Sequence, residues 1–311
     1  MTGRPVVVSV HQPNFMPWLK LLDKILASDV YVAYDTVQYT QSEYHARQRV
    51  RTHTGPAWLS LPLRKIPGQR QLIGQLRLDP GQPFRARHLK TLRVGYARAP
   101  YFTDVYGLVE QVYARGHERL VDLSLGLIEA FCRYLGSPVR IVRASDLPHA
   151  GDNTERLIQL VRAVGGSAHL TSTYGTERRY IEWPRVIGAG IAVHAQRFQH
   201  PVYPQAWPGF VADLAALDML FCQGPATAAL LAAARRSTPI DPAVPTPDDL
   251  PGPAGLTAPP EPARPAGTPE PAGTPGTAGT PEPPEPAGTP ELPEPAGMNR
   301  TRGPAAGAVE R

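Results

Sequence analysis

Only two cysteines occur in 311 residues, Cys132 and Cys222, each inside an apolar stretch with helical patterning. That scarcity excludes a disulfide scaffold and a cysteine-built metal centre, and it fits buried, reduced thiols in a cytoplasmic protein. No apolar run approaches the ~20 residues of a membrane span, so stable membrane insertion is not expected. The chain enters a strand pattern at once, without the long apolar segment of a secretory signal. The phosphate-cradling Gly-x-Gly-x-x-Gly and Walker loops are missing, and so is the Gly-x-Ser-x-Gly nucleophile elbow. No local spacing such as His-x-x-x-His marks a metal site, and convergence of His11, Asp35 and His200 would have to come from the fold. No motif therefore requires a resident cofactor; a nucleotide or an activated acyl donor is the compatible class.

Proline, by contrast, is abundant, with 37 residues concentrated toward the C-terminus. From Ser237 onward Pro, Gly, Ala, Thr and Glu dominate, and variants of Glu-Pro-Ala-Gly-Thr-Pro recur at Glu261, Glu270, Glu285 and Glu294. Such a segment buries too little apolar surface to offset its ordering entropy. Residues 237–311 are expected to be a disordered tail whose polyproline II character suits domains that recognise such helices. Ten acidic and four basic side chains leave that tail at −6, so residues 1–236 carry +11 of the total +5. A domain this basic favours phosphorylated or nucleotide-linked small molecules, or RNA.

Residues 1–236 read as one α/β domain. Val6–Val10 is a β-branched strand, Leu19–Ala27 an amphipathic helix and Val30–Tyr34 a second strand. Residues 36–56 are polar and basic and read as a long functional loop. Trp58–Leu63 and Gln71–Leu78 read as two strands of a ribbon across the basic loop 64–70. Helices are expected over Phe84–Ala97, Thr103–Tyr113 and Leu120–Leu135, with Gly136 as a C-cap. Strand and helix then alternate: Val139–Val142, Asn153–Val164, Ala168–Thr171, Ile181–Ile187 and Ile191–Ala195. Helices over Leu214–Leu220 and Pro225–Arg235 close the domain. This order predicts a Rossmann-like, mainly parallel sheet with right-handed crossovers and a helical and β-hairpin insertion after the second strand.

Ligands of open α/β sheets bind beyond the carboxyl ends of the strands. His11 directly follows the first strand, where it can act as base or phosphate donor; Gln12 and Asn14 add amides, and Pro13 and Pro17 stiffen the loop. Asp35 ends the second strand, suited to orienting an amine or serving as a turn cap, with Gln38 and Tyr39 beside it. Arg47, Arg49 and Lys90 are candidate phosphate ligands. His200 and Gln205 follow the last strand and serve either a ligand or the anchoring of their loop.

The motif series resembles the WbqC-like family. It comprises His11-Gln12-Pro13-Asn14 with Pro17-Trp18, Ser28-Asp29-Val30, Asp35 with Val37-Gln38-Tyr39, and Arg47 and Arg49 before Thr52. It continues through Trp58-Leu59-Ser60-Leu61-Pro62, His88-Leu89-Lys90-Thr91, Ala99-Pro100-Tyr101-Phe102 and Tyr174-Gly175. His200-Pro201 with Tyr203 and Gln205, then Leu217-Asp218 with Leu220-Phe221, complete it, spanning roughly 6–224. The chain departs from the family pattern at Cys222 and Ser124, where Asn is common. The resemblance implies a companion of glycan or specialised-metabolite pathways that acylates or aminoacylates an amino group on a sugar. The leading expectation is thus a transferase or amide ligase with His11 and Asp35 as catalytic groups. The alternative is a non-catalytic module binding a nucleotide or RNA, including aminoacyl-tRNA.

Overall fold

The computed structural model describes residues 4–41, 43–64, 66, 69–172 and 180–239. Strand β1 (Val7–His11) lies at the centre of a six-stranded sheet of order β10-β9-β8-β1-β2-β7. The partners are β2 (Val30–Ala33), β7 (Arg140–Arg143), β8 (Ala168–Ser172), β9 (Ala192–Phe198) and β10 (Arg235–Pro239). All pairings are parallel except β10 with β9.

The sequence alternation decides the two faces. Val8, Val10, Val30 and Val32 pack with Leu157, Ile158 and Val161 of α5 (Asn153–Ala163) and with Val186 of α6 (Trp183–Gly188). Tyr31 and Ala33 point the other way, into a larger core shared with α1 (Leu19–Leu26) and α4 (Leu120–Tyr134). That core also takes in α2 (Phe84–Tyr96), α3 (Phe102–Ala114), α7 (Ala216–Gln223) and α8 (Ala226–Ala234). Gly136 closes α4 with φ 66, and the amide of Ser137 reaches back to the Cys132 carbonyl at 2.9 Å, as expected of a glycine terminator. Both cysteines are buried, and burial pushes each thiol up to about 12.

Three expectations change. The basic stretch read as loop contains β3 (Arg47–Thr52), paired antiparallel with β4 (Gly55–Ser60). Its Gln48 and Val50 are fully buried while the arginines alternate with them, a period-2 pattern disguised by charge. The Trp58 strand therefore pairs with β3 rather than with Gln71–Leu78. The ribbon expected there shrinks to β5 (Leu63–Arg64) against β6 (Arg77–Leu78), because Pro62 interrupts the first strand and Ile73–Gln75 winds into a 3-10 turn. Finally, the last helix stops at Ala234 and the chain turns into β10, so the sheet runs to Pro239, past the boundary expected at 236. The expected tail from 240 on, and Tyr174-Gly175, lie outside the described residues. No helix among the described residues is long and apolar enough to cross a membrane.

Candidate functional site

Strand order reverses beside β1: the chain moves outward through β2 and β7, then returns to β8 and continues to β9. Such a switch point opens a crevice beyond the carboxyl ends of the two central strands. His11 is the last residue of β1 and Ser172 the last of β8. His11 is half-buried, and its Nδ1–H donates to the Gln12 carbonyl at 2.9 Å. A carbonyl can only accept, so Nδ1 carries a proton in this contact. The phenol of fully buried Tyr31 donates to the His11 carbonyl at 3.1 Å and fixes the backbone there.

The loop after His11 is held from outside. Gln12 Oε1 accepts from His45 Nε2 at 2.7 Å, and the Phe15 amide donates to the His45 carbonyl at 3.1 Å. Burial lowers the His45 pKa to about 4, so the ring stays neutral near pH 7 and acts as a fixed strut. Asn14 is only 4% exposed, and its Oδ1 has no hydrogen-bond partner among the described residues. A buried acceptor left unpaired costs about 1–3 kcal/mol, which a donor on a ligand would relieve. Backbone strain collects in the same place. Among the described residues two non-glycines have positive φ, Met16 at 47° and Asp213 at 57°. Met16 is in this loop; the Asp213 carbonyl accepts from Arg49 at 3.3 Å. Conformations of this kind persist where surrounding structure over-determines them, and they cluster at functional sites.

A cationic, aromatic wall adjoins the loop. Tyr39 stands 5.7 Å from the His45 ring, and Arg47 is close enough to oppose the rise that burial gives the Tyr39 phenol. The Arg47 guanidinium lies 4.7 Å from the centre of the Trp58 ring and that of Arg49 at 5.9 Å. Tyr44 sits between Trp18, at 4.9 Å, and Trp58, at 6.2 Å. Gln12, Tyr39, Arg47 and Arg49 are thus joined into one patch, with His45, Tyr44, Trp18 and Trp58 as the connecting side chains.

The contacts recorded for the other candidates are to different partners. Asp35 is buried, and both carboxylate oxygens are engaged by Ser145, the amide at 3.0 Å and the hydroxyl at 2.8 Å. Gln38 is exposed and bridges the backbone of Leu72. Lys90 is exposed on α2. Gln205 donates to the Val211 carbonyl and to Asp218 Oδ2 and accepts from the Val211 amide, pinning its own loop. His200 donates from Nδ1 to the Pro201 carbonyl and stacks with Tyr203.

Sequence reasoning missed the strut His45; Asp218 reads from the sequence as capping or packing polarity, and its role in packing holds, but the three donors that gather on it were not foreseen. Fully buried Asp218 accepts from Tyr96 at 2.7 Å, Tyr203 at 2.8 Å and Gln205 at 3.0 Å, yet burial still raises its pKa. A carboxylate inside the apolar run Leu217 to Cys222 was the available signal for the hub; His45 carried none.

The pattern of the WbqC-like protein family matches residues 12–229, most of the chain. The chain belongs to the WbqC-like family. A relative from Mycobacterium tuberculosis, uncharacterized protein Rv1507c, is 28% identical over 221 residues, covering 70% of this chain and 94% of its own. The family pattern spans the loop after β1 from Gln12 on, the basic insertion and the Asp218 hub of this WbqC-like protein.

Proposed function

We propose that this WbqC-like protein is a transferase or ligase that forms an amide on the amino group of a sugar or related metabolite in glycan or specialised-metabolite biosynthesis. The reaction class rests on the family resemblance. The observation that supports a site for it is the unpaired acceptor of buried Asn14 in the loop after His11, a loop linked through His45 and Tyr39 to the Arg47–Arg49 wall. The arginines suit the phosphates of an activated or nucleotide-linked substrate, and Asn14 Oδ1 suits an N–H of the acceptor amine. As the amine nitrogen bonds to the acyl carbon and the bond to the leaving group breaks, His11 Nε2 takes the amine proton. The leaving group departs with the electron pair. Asp35 serves as a positioning residue, holding the end of β2 through Ser145.

A thermal-shift screen with nucleotides, nucleotide sugars and acyl donors identifies the ligand, because a ligand at about 100 times its Kd adds about 2.7 kcal/mol to stability. With that donor and acceptor, His11→Gln should lower turnover by about 10²–10⁴-fold while the melting temperature holds. Undiminished turnover by that variant overturns the assignment.

A further inference from the structure

The basic character of the molecule is not spread evenly. Residues 36–119 hold fourteen basic and five acidic side chains, so this insertion carries +9 of the +11 of residues 1–236. Some of that charge is paired, as in Arg64 with Asp79 and Arg77 with Glu118. On α2 it is not. Arg87, Lys90 and Arg93, with Arg98 just past the helix end, are all exposed, and none meets a carboxylate among the described residues. The Arg87 guanidinium donates to the side-chain oxygen of Gln82, and that of Arg93 donates to the Tyr106 hydroxyl and lies 5.1 Å from the Tyr106 ring centre. Arg87, Lys90 and Val94 follow one another along one side of the helix, and Val94 is 57% exposed among the cations.

A groove of about 410 Å³ runs beside this face, between β4 and the start of α2. Trp58, Ser60 and Pro62 form one wall, and Gln82, Arg87 and Thr91 the other. An indole, polar side chains and an arginine at the rim form a concavity for a flat polar ring that carries phosphate. A row of cations leads away from it. A stacking surface joined to a cationic track is how single strands are held without reading sequence.

We propose that this groove and the cationic face of α2 dock a single-stranded nucleic acid, one base entering beside Trp58 and the backbone following Arg87, Lys90, Arg93 and Arg98. The groove shares Trp58 with the patch beside the β1 loop, but the cations of α2 lie outside that patch, so the proposal stands whether or not His11 performs chemistry. A free mononucleotide would use the groove but not the track, and an anionic bilayer or a duplex would use the track but not the groove.

The test is fluorescence anisotropy of the full chain with a labelled twelve-nucleotide single-stranded RNA of mixed sequence. Four phosphate contacts predict a log–log salt slope of about −2.8, hence about fifty-fold weaker binding at 200 mM than at 50 mM salt. The double variant R87E/K90E should weaken binding at least about tenfold at 50 mM salt and flatten the slope by about 1.4, with the melting temperature unchanged because both side chains are exposed. Binding by the double variant equal to that of the natural chain overturns the proposal. So does equal affinity for a duplex of the same length, or full displacement by millimolar uridine monophosphate.

Discussion

At the residue scale, two histidines show how far burial governs charge here. His88 accepts from the Tyr113 hydroxyl on Nδ1 at 3.0 Å and donates from Nε2 to the Ser60 carbonyl at 3.1 Å. Burial holds it, like His45, at about 4 rather than its ordinary value of 6.5. Between those two values the unfolded chain binds a proton at each ring and the folded chain does not. Stability contributed by the neutral rings is therefore complete above about pH 6.5 and is lost as the pH falls toward 4, by about 1.4 kcal/mol per unit for each histidine. Urea unfolding at pH 7, 6 and 5 should show this slope, and His88→Asn should reduce it by about one proton. A slope unaltered by that substitution counts against the assignment. Neither role was legible beforehand. Gln12 and His45 are 33 residues apart, and their contact arises where two loops cross, which no local pattern encodes. Arg47 and Arg49 were singled out for the chemistry of their guanidinium groups alone; that alternate spacing on one strand face brings both to Trp58 was hidden, because their charge disguised the strand.

At the scale of elements, Asp35 joins two that are distant in sequence. Its carboxylate receives the Ser145 amide and hydroxyl, tying the end of β2 to the turn after β7, while the Gly74 amide donates to its carbonyl at 2.9 Å. A Cβ on Gly74 would stand 3.1 Å from Asp35 Oδ2, so the 3-10 turn closes over the carboxylate. Asp35→Ala should cost about 2–3 kcal/mol, since it removes bonds to a charged acceptor and leaves a backbone N–H unpaired. Ser145→Ala should cost only about 1 kcal/mol, and paired denaturant melts of the two variants check the ratio. An acid at the end of a strand was evident in the sequence; its partner 110 residues later was not. The same divide explains the insertion. Helices α2 to α4 follow from 3.6-residue periodicity, a local property, whereas the pairing of β4 with β3 depends on a turn at His53–Thr54 and on Gly55 reaching φ 120.

At the scale of the whole molecule, the C-terminal edge of the sheet is clamped to the first helix. Asp23, with no exposed surface, accepts from Arg235 Nε at 2.8 Å and from Gln196 at 2.6 Å. Burial is the largest influence on its carboxyl and raises its pKa, with Arg235 opposing. Arg235→Ala leaves that charge unpaired and should cost about 3–5 kcal/mol at pH 7. The deficit should shrink on acidification, because without the arginine the folded state holds a proton on Asp23 more tightly than the unfolded chain does. Melts at pH 7 and 5 check the sign, and the double variant D23N/R235A should recover part of the loss at pH 7. The overall architecture was legible because strand and helix periods alternate so regularly. The final strand was not, since Arg235–Pro239 has neither apolar alternation nor turn chemistry and is ordered by its neighbour β9.

The reversal of strand order also has a meaning in time. Val7 and Val8 pair with Ala168 and His169, so β1 must wait for some 160 further residues before its second flank is covered. At about 5–20 residues per second of synthesis that is on the order of 8–30 s. Throughout that interval a valine-rich strand presents one unpaired edge, the kind of edge that recruits foreign strands. The edge of β1 beside His11 is thus covered only when β8 arrives, with β9 and β10 still to follow, and no ligand bound there can guide the early stages of folding. Yield on expression should depend on how fast the later strands arrive more than on the stability of the finished molecule.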